Sequence, residues 1–159
     1  MKKRVMIVTS RGGHFDQAIA ILPAFHDCDI TLVTYKNKFI SHIKNFPISR
    51  IYQVSNFSDF LDIKLFTSLF INFFQFTKIL FITKPHIIIS TGSEIAIPAF
   101  CAAKLFSRAY RIHVETAART NKLSLSGKTL LYLAHKIYVQ WPNLTLTEKK
   151  NIVYKGRVY

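Results

Sequence analysis

Three short stretches gather the residues able to act on a phosphorylated substrate: Arg11-Gly12-Gly13-His14, Gly92-Ser93-Glu94, and Glu115 with Arg119. The chain has only 5 glycines, yet two of them stand side by side before His14. Adjacent glycines cost backbone entropy and mark a turn that tolerates no side chain. At a helix start, such a turn offers backbone N–H groups and the positive end of the helix dipole to a phosphate. Gly92-Ser93 repeats the arrangement, and two such turns on one sheet edge would hold a diphosphate. Each alone is equally an unliganded tight turn, with Ser93 a simple helix cap. His14 can donate to a phosphate, act as base on a hydroxyl, or be an ordinary polar loop residue. Glu115 stands out because the chain has 8 acidic residues; the plainer alternative is a glutamate that caps a helix or pairs with Arg111 or Arg119. Arg119 binds phosphate or lines a solvated face. Neither glycine loop fits GxGxxG or GxxxxGK[ST], which argues against a dinucleotide or P-loop ATP site.

Elements that place these residues follow from the apolar pattern. Strand-length runs fall at 4–9, 29–34, 50–54, 86–91, 110–114 and 136–140, and Ile87-Ile88-Ile89 suits a strand buried on both faces. Helices are expected at 15–26, 37–45, 60–83, 94–107 and 127–134. This alternation predicts an α/β fold, a Rossmann-like doubly wound parallel sheet, over residues 1–159 as a single domain. In that fold ligands sit beyond the carboxyl ends of the strands, where all three stretches fall. Whether the terminal NIVYKGRVY joins the sheet or reaches a partner stays open. Trp141-Pro142 follows the last expected strand.

The 159 residues carry 22 Lys+Arg against 8 Asp+Glu, a formal charge of +14, and 50% are hydrophobic. Such a surface expects an anionic partner. No zinc-finger spacing, RNA-recognition signature or basic heptad is present, so nucleic acid is not expected. High charge combined with high apolar content points to an anionic membrane surface. Cys28 and Cys101 form no CxxC and read as buried thiols. His26, His42, His86, His113 and His135 read as structural, and no cluster has metal-ligand spacing; neither metal nor cofactor is expected. The apolar run after Met1-Lys2-Lys3-Arg4 is too short for a secretory signal, so an intracellular protein is expected.

DIKLFTSLFINFFQFTKILFITK, residues 62–84, forms an amphipathic Phe-rich helix within about 60–83. Lys64, Ser68, Asn72, Gln75 and Lys78 make one polar stripe, while Phe66, Phe70, Phe73, Phe74, Phe76 and Phe81 cover the rest. Three readings stay open: burial between sheet and neighbours, docking into a bilayer interface, and a transmembrane span. In the docking reading Lys64, Phe66, Phe70, Phe73, Phe74 and Lys78 touch the membrane. The polar residues make a span uncomfortable.

VTSRGGHFDQ, ISTGSEIAIPAFCAAKLF, IHVETAARTNKLSLSGKTLLYLAHKIYVQWP and YKGRVY together resemble the PssD/CpsF-type glycosyltransferase subunits of bacterial capsule and exopolysaccharide synthesis. That family is related to the anchor subunit of the dolichol-pathway UDP-N-acetylglucosamine transferase and, more distantly, resembles the N-terminal half of MurG. The resemblance covers nearly the whole chain. It implies the acceptor-side, N-terminal half of a GT-B glycosyltransferase, acting on a polyprenyl-diphosphate-linked saccharide at the cytoplasmic face of the cell membrane. A separate GT-B C-terminal-type subunit would carry most of the UDP-sugar site, and this chain would be inactive without it. Carried over by position, Arg11, Gly12, Gly13, Gly92, Ser93 and Arg119 bind the acceptor diphosphate. His14 or Glu115 is then the base of an inverting transfer. The family's first loop often has a further glycine where this chain has Ser10 or Arg11. The alternative is a non-catalytic recruiter that brings the catalytic subunit to the membrane.

Overall fold

The computed structural model describes residues 2–36, 46–56, 63–146 and 150–158, with only the backbone of 63–66 and 146. The helix expected at 37–45, with His42, lies outside the described residues, as do the side chains of Lys64 and Phe66.

Among the described residues seven strands are observed: β1 (Arg4–Val8), β2 (Asp29–Tyr35), β3 (Arg50–Val54), β4 (Ile87–Ser90), β5 (Tyr110–Val114), β6 (Lys136–Val139) and β7 (Ile152–Tyr154). All pair in parallel, in the order β3-β2-β1-β4-β5-β6-β7. The helices are α1 (Gly13–Ile21), α2 (Ile63–Thr83), α3 (Ala96–Phe106) and α4 (Leu125–Leu130). The doubly wound sheet expected from the apolar runs is the one observed. Strand order reverses between β1 and β4, and the loops leaving these strands flank the crevice where such folds bind ligands.

Alternation along the strands assigns the two layers. Val5 and Ile7 face α1, packing with Ala18 and Leu22. Met6, Val8 and Ile88 face the other way, onto Phe76, Ile79 and Phe100 of α2 and α3. A third cluster of Leu123, Ile137, Val139, Leu144 and Ile152 seals the β6–β7 edge. The C-terminal segment therefore completes the sheet: Ile152 pairs with Ile137 and Tyr154 with Val139.

The polar stripe of α2 is divided: Lys78 is exposed, while the two amides bond within the chain. Asn72 is buried, donating to the Ser68 carbonyl (2.9 Å) and the Ser55 carbonyl (3.2 Å). Gln75 accepts from the Ser55 N–H and donates to its hydroxyl, both at 3.0 Å. The chain leaving β3 brings polar backbone against α2, and these amides satisfy it because unpaired groups there are costly. Phe70, Phe74 and Phe81 are turned outward, while Phe76 is buried in the core.

Candidate functional site

The loop after β1 opens α1. Gly12 has φ 68° and ψ −144°, a conformation L-residues rarely take, and its carbonyl accepts from the N–H groups of Phe15 (2.8 Å) and Asp16 (3.1 Å). A side chain at Gly12 or Gly13 would meet no atom within 4 Å. No packing inside the described chain demands glycine at 13, and the space above this turn is open. Arg11, Gly12 and Gly13 are exposed, while His14 is half-buried.

His14 ties the two glycine loops together. Its Nδ1 lies 2.9 Å from the carbonyl oxygen of Thr91. A carbonyl only accepts, so Nδ1 carries the proton and neutral imidazole keeps its lone pair on Nε2. Among the described residues Nε2 has no hydrogen-bond partner. Thr91 completes a mutual clamp: its hydroxyl donates to the His14 carbonyl (2.8 Å) and lies 2.9 Å from the Thr9 hydroxyl. Gly92, at φ 120°, lies under the imidazole, whose Nδ1 and Cε1 fill the place of a side chain there. The Gly92 N–H is engaged by the Ser90 hydroxyl at 3.1 Å. Ser93 holds φ 73° without being glycine, and its hydroxyl donates to Glu94 at 2.6 Å.

Glu115 sits deeper, with no exposed surface. One carboxylate oxygen accepts from the Thr116 N–H (2.9 Å); the other accepts from the Ser124 N–H (3.0 Å) and hydroxyl (3.1 Å). Ser124 in turn caps α4 by accepting from the Gly127 N–H at 2.9 Å. Gly127 is glycine for a steric reason, because a Cβ there would fall on the Glu115 carboxylate. Burial opposes ionisation of Glu115, but His113 and the N–H groups of Thr116 and Ser124 outweigh it, holding the carboxyl below its ordinary value. The buried His113 ring stands 3.9 Å from that carboxylate, an ion-pair distance too long for a hydrogen bond, and neither ring nitrogen has a hydrogen-bond partner. Glu115 is thus bound to α4 and His113. Neither Arg111 nor Arg119 pairs with it among the described residues.

Residues that the sequence did not mark connect these parts. Gln140 at the end of β6 donates to the Glu115 carbonyl (2.9 Å) and accepts from the Val158 N–H (3.0 Å). With its amide oriented to suit its neighbours, buried Gln17 donates to the Thr91 carbonyl (3.2 Å) and accepts from Gln140 (2.8 Å) and the Ala117 N–H (3.0 Å). Trp141 donates to the Ala117 carbonyl at 2.8 Å, under the Arg157 guanidinium, 3.7 Å from the ring centroid. At the other side Tyr35 donates to Glu94 at 2.8 Å. Burial, then the Glu94 charge, pushes the Tyr35 phenol far up, partly offset by nearby Arg11. Arg119 is exposed on the loop after β5. The structure thus gathers Arg11, Gly12, Gly13, His14, Gly92 and Ser93 at one edge, with Glu115 as a buried strut beneath it.

The outer face of α2 and the end of α3 form an apolar patch. Phe70, Phe74 and Phe81 are 65%, 55% and 59% exposed, beside Leu105 and Phe106. Phe73 is half-buried, its ring touching Phe74 and Phe106, and Lys78 is exposed. Arg4, Lys84, His86 and Arg108 surround a pocket with Phe81 and Phe106. Among the described residues no helix is long and apolar enough to cross a membrane, and no His/Cys/Asp/Glu group could hold a metal ion.

Known proteins resemble this chain in sequence and in fold. A family model for "Oligosaccharide biosynthesis protein Alg14 like" matches residues 31–158. The UDP-N-acetylglucosamine transferase subunit ALG14 of Mus musculus is 32% identical over 122 residues, 74% of this chain and 53% of that protein. Its namesake from Yarrowia lipolytica is 39% identical over 67 residues, 38% of this chain and 31% of that protein. The chain thus spans about half the length of the mouse relative. Acinetobacter baumannii MurG shares the fold with a TM-score of 0.78 at 17% identity, over 96% of this chain and 45% of that chain. Rickettsia bellii UDP-N-acetylglucosamine 2-epimerase does so with 0.73 at 11% identity, over 99% and 46%. The sheet is that of the N-terminal half of a MurG-like GT-B protein.

Proposed function

The chain belongs to the Alg14-like family of oligosaccharide biosynthesis proteins, and from that premise we propose that it is the acceptor-side subunit of a two-component glycosyltransferase. In this reading residues 1–159 form one GT-B N-terminal-type domain. A separate C-terminal-type subunit carries most of the nucleotide-sugar site, and neither works alone. The acceptor is a polyprenyl-diphosphate-linked saccharide of capsular or exopolysaccharide synthesis. The names of the relatives make UDP-N-acetylglucosamine the first donor to test.

The observation that carries the reading is His14, held by the Thr91 carbonyl with Nε2 unpartnered among the described residues. Nε2 takes the proton of the acceptor hydroxyl as its oxygen bonds to the anomeric carbon. The bond from that carbon to UDP breaks, and UDP leaves with the electron pair. Arg11, Arg119 and the turns at Gly12-Gly13 and Ser93 hold the acceptor diphosphate. Gly92 contributes by leaving room for the imidazole. Glu115 acts as a positioning residue, since its carboxylate is buried and already bonded within the chain.

Attachment is peripheral, at the cytoplasmic membrane face. Phe70 and Phe74, with Phe73 beneath them, enter the interface, and Lys78 faces anionic headgroups. The +14 charge and the outward-facing phenylalanines support this placement.

The test is sugar transfer to a prenyl-diphosphate-sugar acceptor in membranes, by the chain co-expressed with its partner subunit. His14→Ala should abolish transfer while pull-down still recovers the pair. Full transfer by this variant would make the chain a membrane recruiter without a chemical role.

A further inference from the structure

Between the first half of α2 and the start of α3 lies a groove of about 350 Å³, lined by Leu69, Phe70, Phe73, Ile97, Pro98 and Cys101. Its walls are almost wholly carbon and sulfur. We propose that this groove holds the first isoprene units of the acceptor's prenyl chain, a reading that rests on the acceptor function proposed above.

Position is the first argument. Ile97 and Pro98 belong to the first turn of α3, directly after Ser93 and Glu94, and the Ile97 N–H donates to the Glu94 carbonyl at 3.0 Å. One end of the groove therefore abuts the turn assigned to the diphosphate. Its other wall is α2, where Phe70 belongs both to the groove and to the exposed phenylalanine patch. A lipid diphosphate has one charged end and one long apolar chain. It needs a continuous apolar path from the phosphate site to the bilayer, and this groove is that path.

Chemistry is the second argument. Branched, unsaturated prenyl units gain from contact with Phe, Leu and Ile walls, and no charged side chain lines the groove to be desolvated. A sugar or nucleotide would find no hydrogen-bonding side chain there. Pro98 removes one backbone N–H from the first turn of α3, so the wall stays apolar where the chain would enter.

Cys101 reports on the groove directly. Burial pushes its thiol up, with Lys104 partly opposing, so alkylation by N-ethylmaleimide is followed at mildly alkaline pH. The full chain carrying Cys28→Ser leaves Cys101 as the single thiol. Farnesyl diphosphate should slow alkylation about fivefold at about four times its dissociation constant. Farnesol should also protect, at higher concentration. Inorganic diphosphate should shift the His14 imidazole NMR signals and leave the Cys101 rate unchanged. If both diphosphates shift His14 while farnesyl diphosphate leaves Cys101 unprotected, the groove assignment falls and the acceptor site stands. Protection by farnesol with no response of His14 to either diphosphate keeps the groove and removes the diphosphate reading. Equal protection by dodecanol marks an unselective apolar surface and overturns the assignment. Ile97→Trp, which fills the groove, should abolish farnesyl protection without altering the response of His14 to inorganic diphosphate.

Discussion

The imidazole of His14 rests on the α-carbon of Gly92, in the space where a side chain at position 92 would begin. The relationship makes Gly92 part of the geometry of His14. Gly92→Ala would force a non-glycine residue to φ 120° and push the ring off the Thr91 carbonyl. The strain costs about 1–3 kcal/mol, and transfer by the assembled pair should drop to the His14→Ala level. Gly12→Ala carries the strain without the collision, because its surroundings are open. It should lose comparable stability but less transfer. Thermal melts paired with transfer assays separate the two effects; equal transfer loss in both variants would remove the His14–Gly92 contact from the mechanism.

Thr91 acts on His14 through its hydroxyl and its carbonyl, and only the hydroxyl can be deleted. Thr91→Val keeps the shape but leaves the His14 carbonyl without its 2.8 Å donor. The expected stability loss is about 0.5–1.5 kcal/mol for the lost hydrogen bond. A positioning role also predicts that kcat falls while KM for the acceptor holds, since the imidazole is misaligned for proton transfer and the binding turns are untouched. A fall in stability with kcat unchanged would reduce Thr91 to a structural bond.

The outward phenylalanines make a separate prediction. Burying a large apolar side chain is worth about 1.5–3 kcal/mol. Phe70→Ser and Phe74→Ser should therefore each weaken binding to phosphatidylglycerol-containing vesicles by roughly tenfold or more. Neither ring is in the core, so melting temperature should hardly move. Vesicle flotation at low and high salt reads both contributions, because the cationic part is screened and the apolar part is not. Unchanged flotation of the double variant would leave the patch available to a protein partner instead.

How far the sequence carried this picture depends on range. Six strands were legible because unbroken apolar runs such as Ile87-Ile88-Ile89 have one comfortable place, a strand covered on both faces. β7 was undecided, since three residues between Asn151 and Lys155 become a strand only through pairing with β6. Helix α4 begins at Leu125 rather than 127 because Ser124 caps it, a bond the apolar pattern does not encode. The facing of α2 stayed open because the partner of its amides, Ser55, lies 17 residues from Asn72. The site divides in the same way. The glycine pairs and His14 announced themselves by residue type, whereas Gln17 and Gln140 matter only because folding brings them together. Gly127 was an unused signal: a glycine at the start of an expected helix, inside the observed one, marks close approach, here by Glu115.

Glu115 makes the clearest prediction about pH. Its folded-state carboxyl titrates below the ordinary value of 4.5, so its stabilisation is complete above that value and is lost as pH falls through the lower, folded one. His135, lowered from 6.5 by burial and then by Arg111, acts in a higher window, its stabilisation declining as pH drops below 6.5. Urea unfolding across this range should show two descending steps, the upper one small because His135 is exposed. His135→Gln should flatten the upper step and Glu115→Gln the lower. Glu115→Gln should also cost about 1–3 kcal/mol at neutral pH, since its amide NH₂ cannot accept from Thr116 or Ser124. A base at this position would show another pattern: transfer abolished in Glu115→Gln even in pairs that still form. A positioning residue predicts a flattened lower step with measurable transfer remaining in pairs that still form, and that combination assigns the proton to His14.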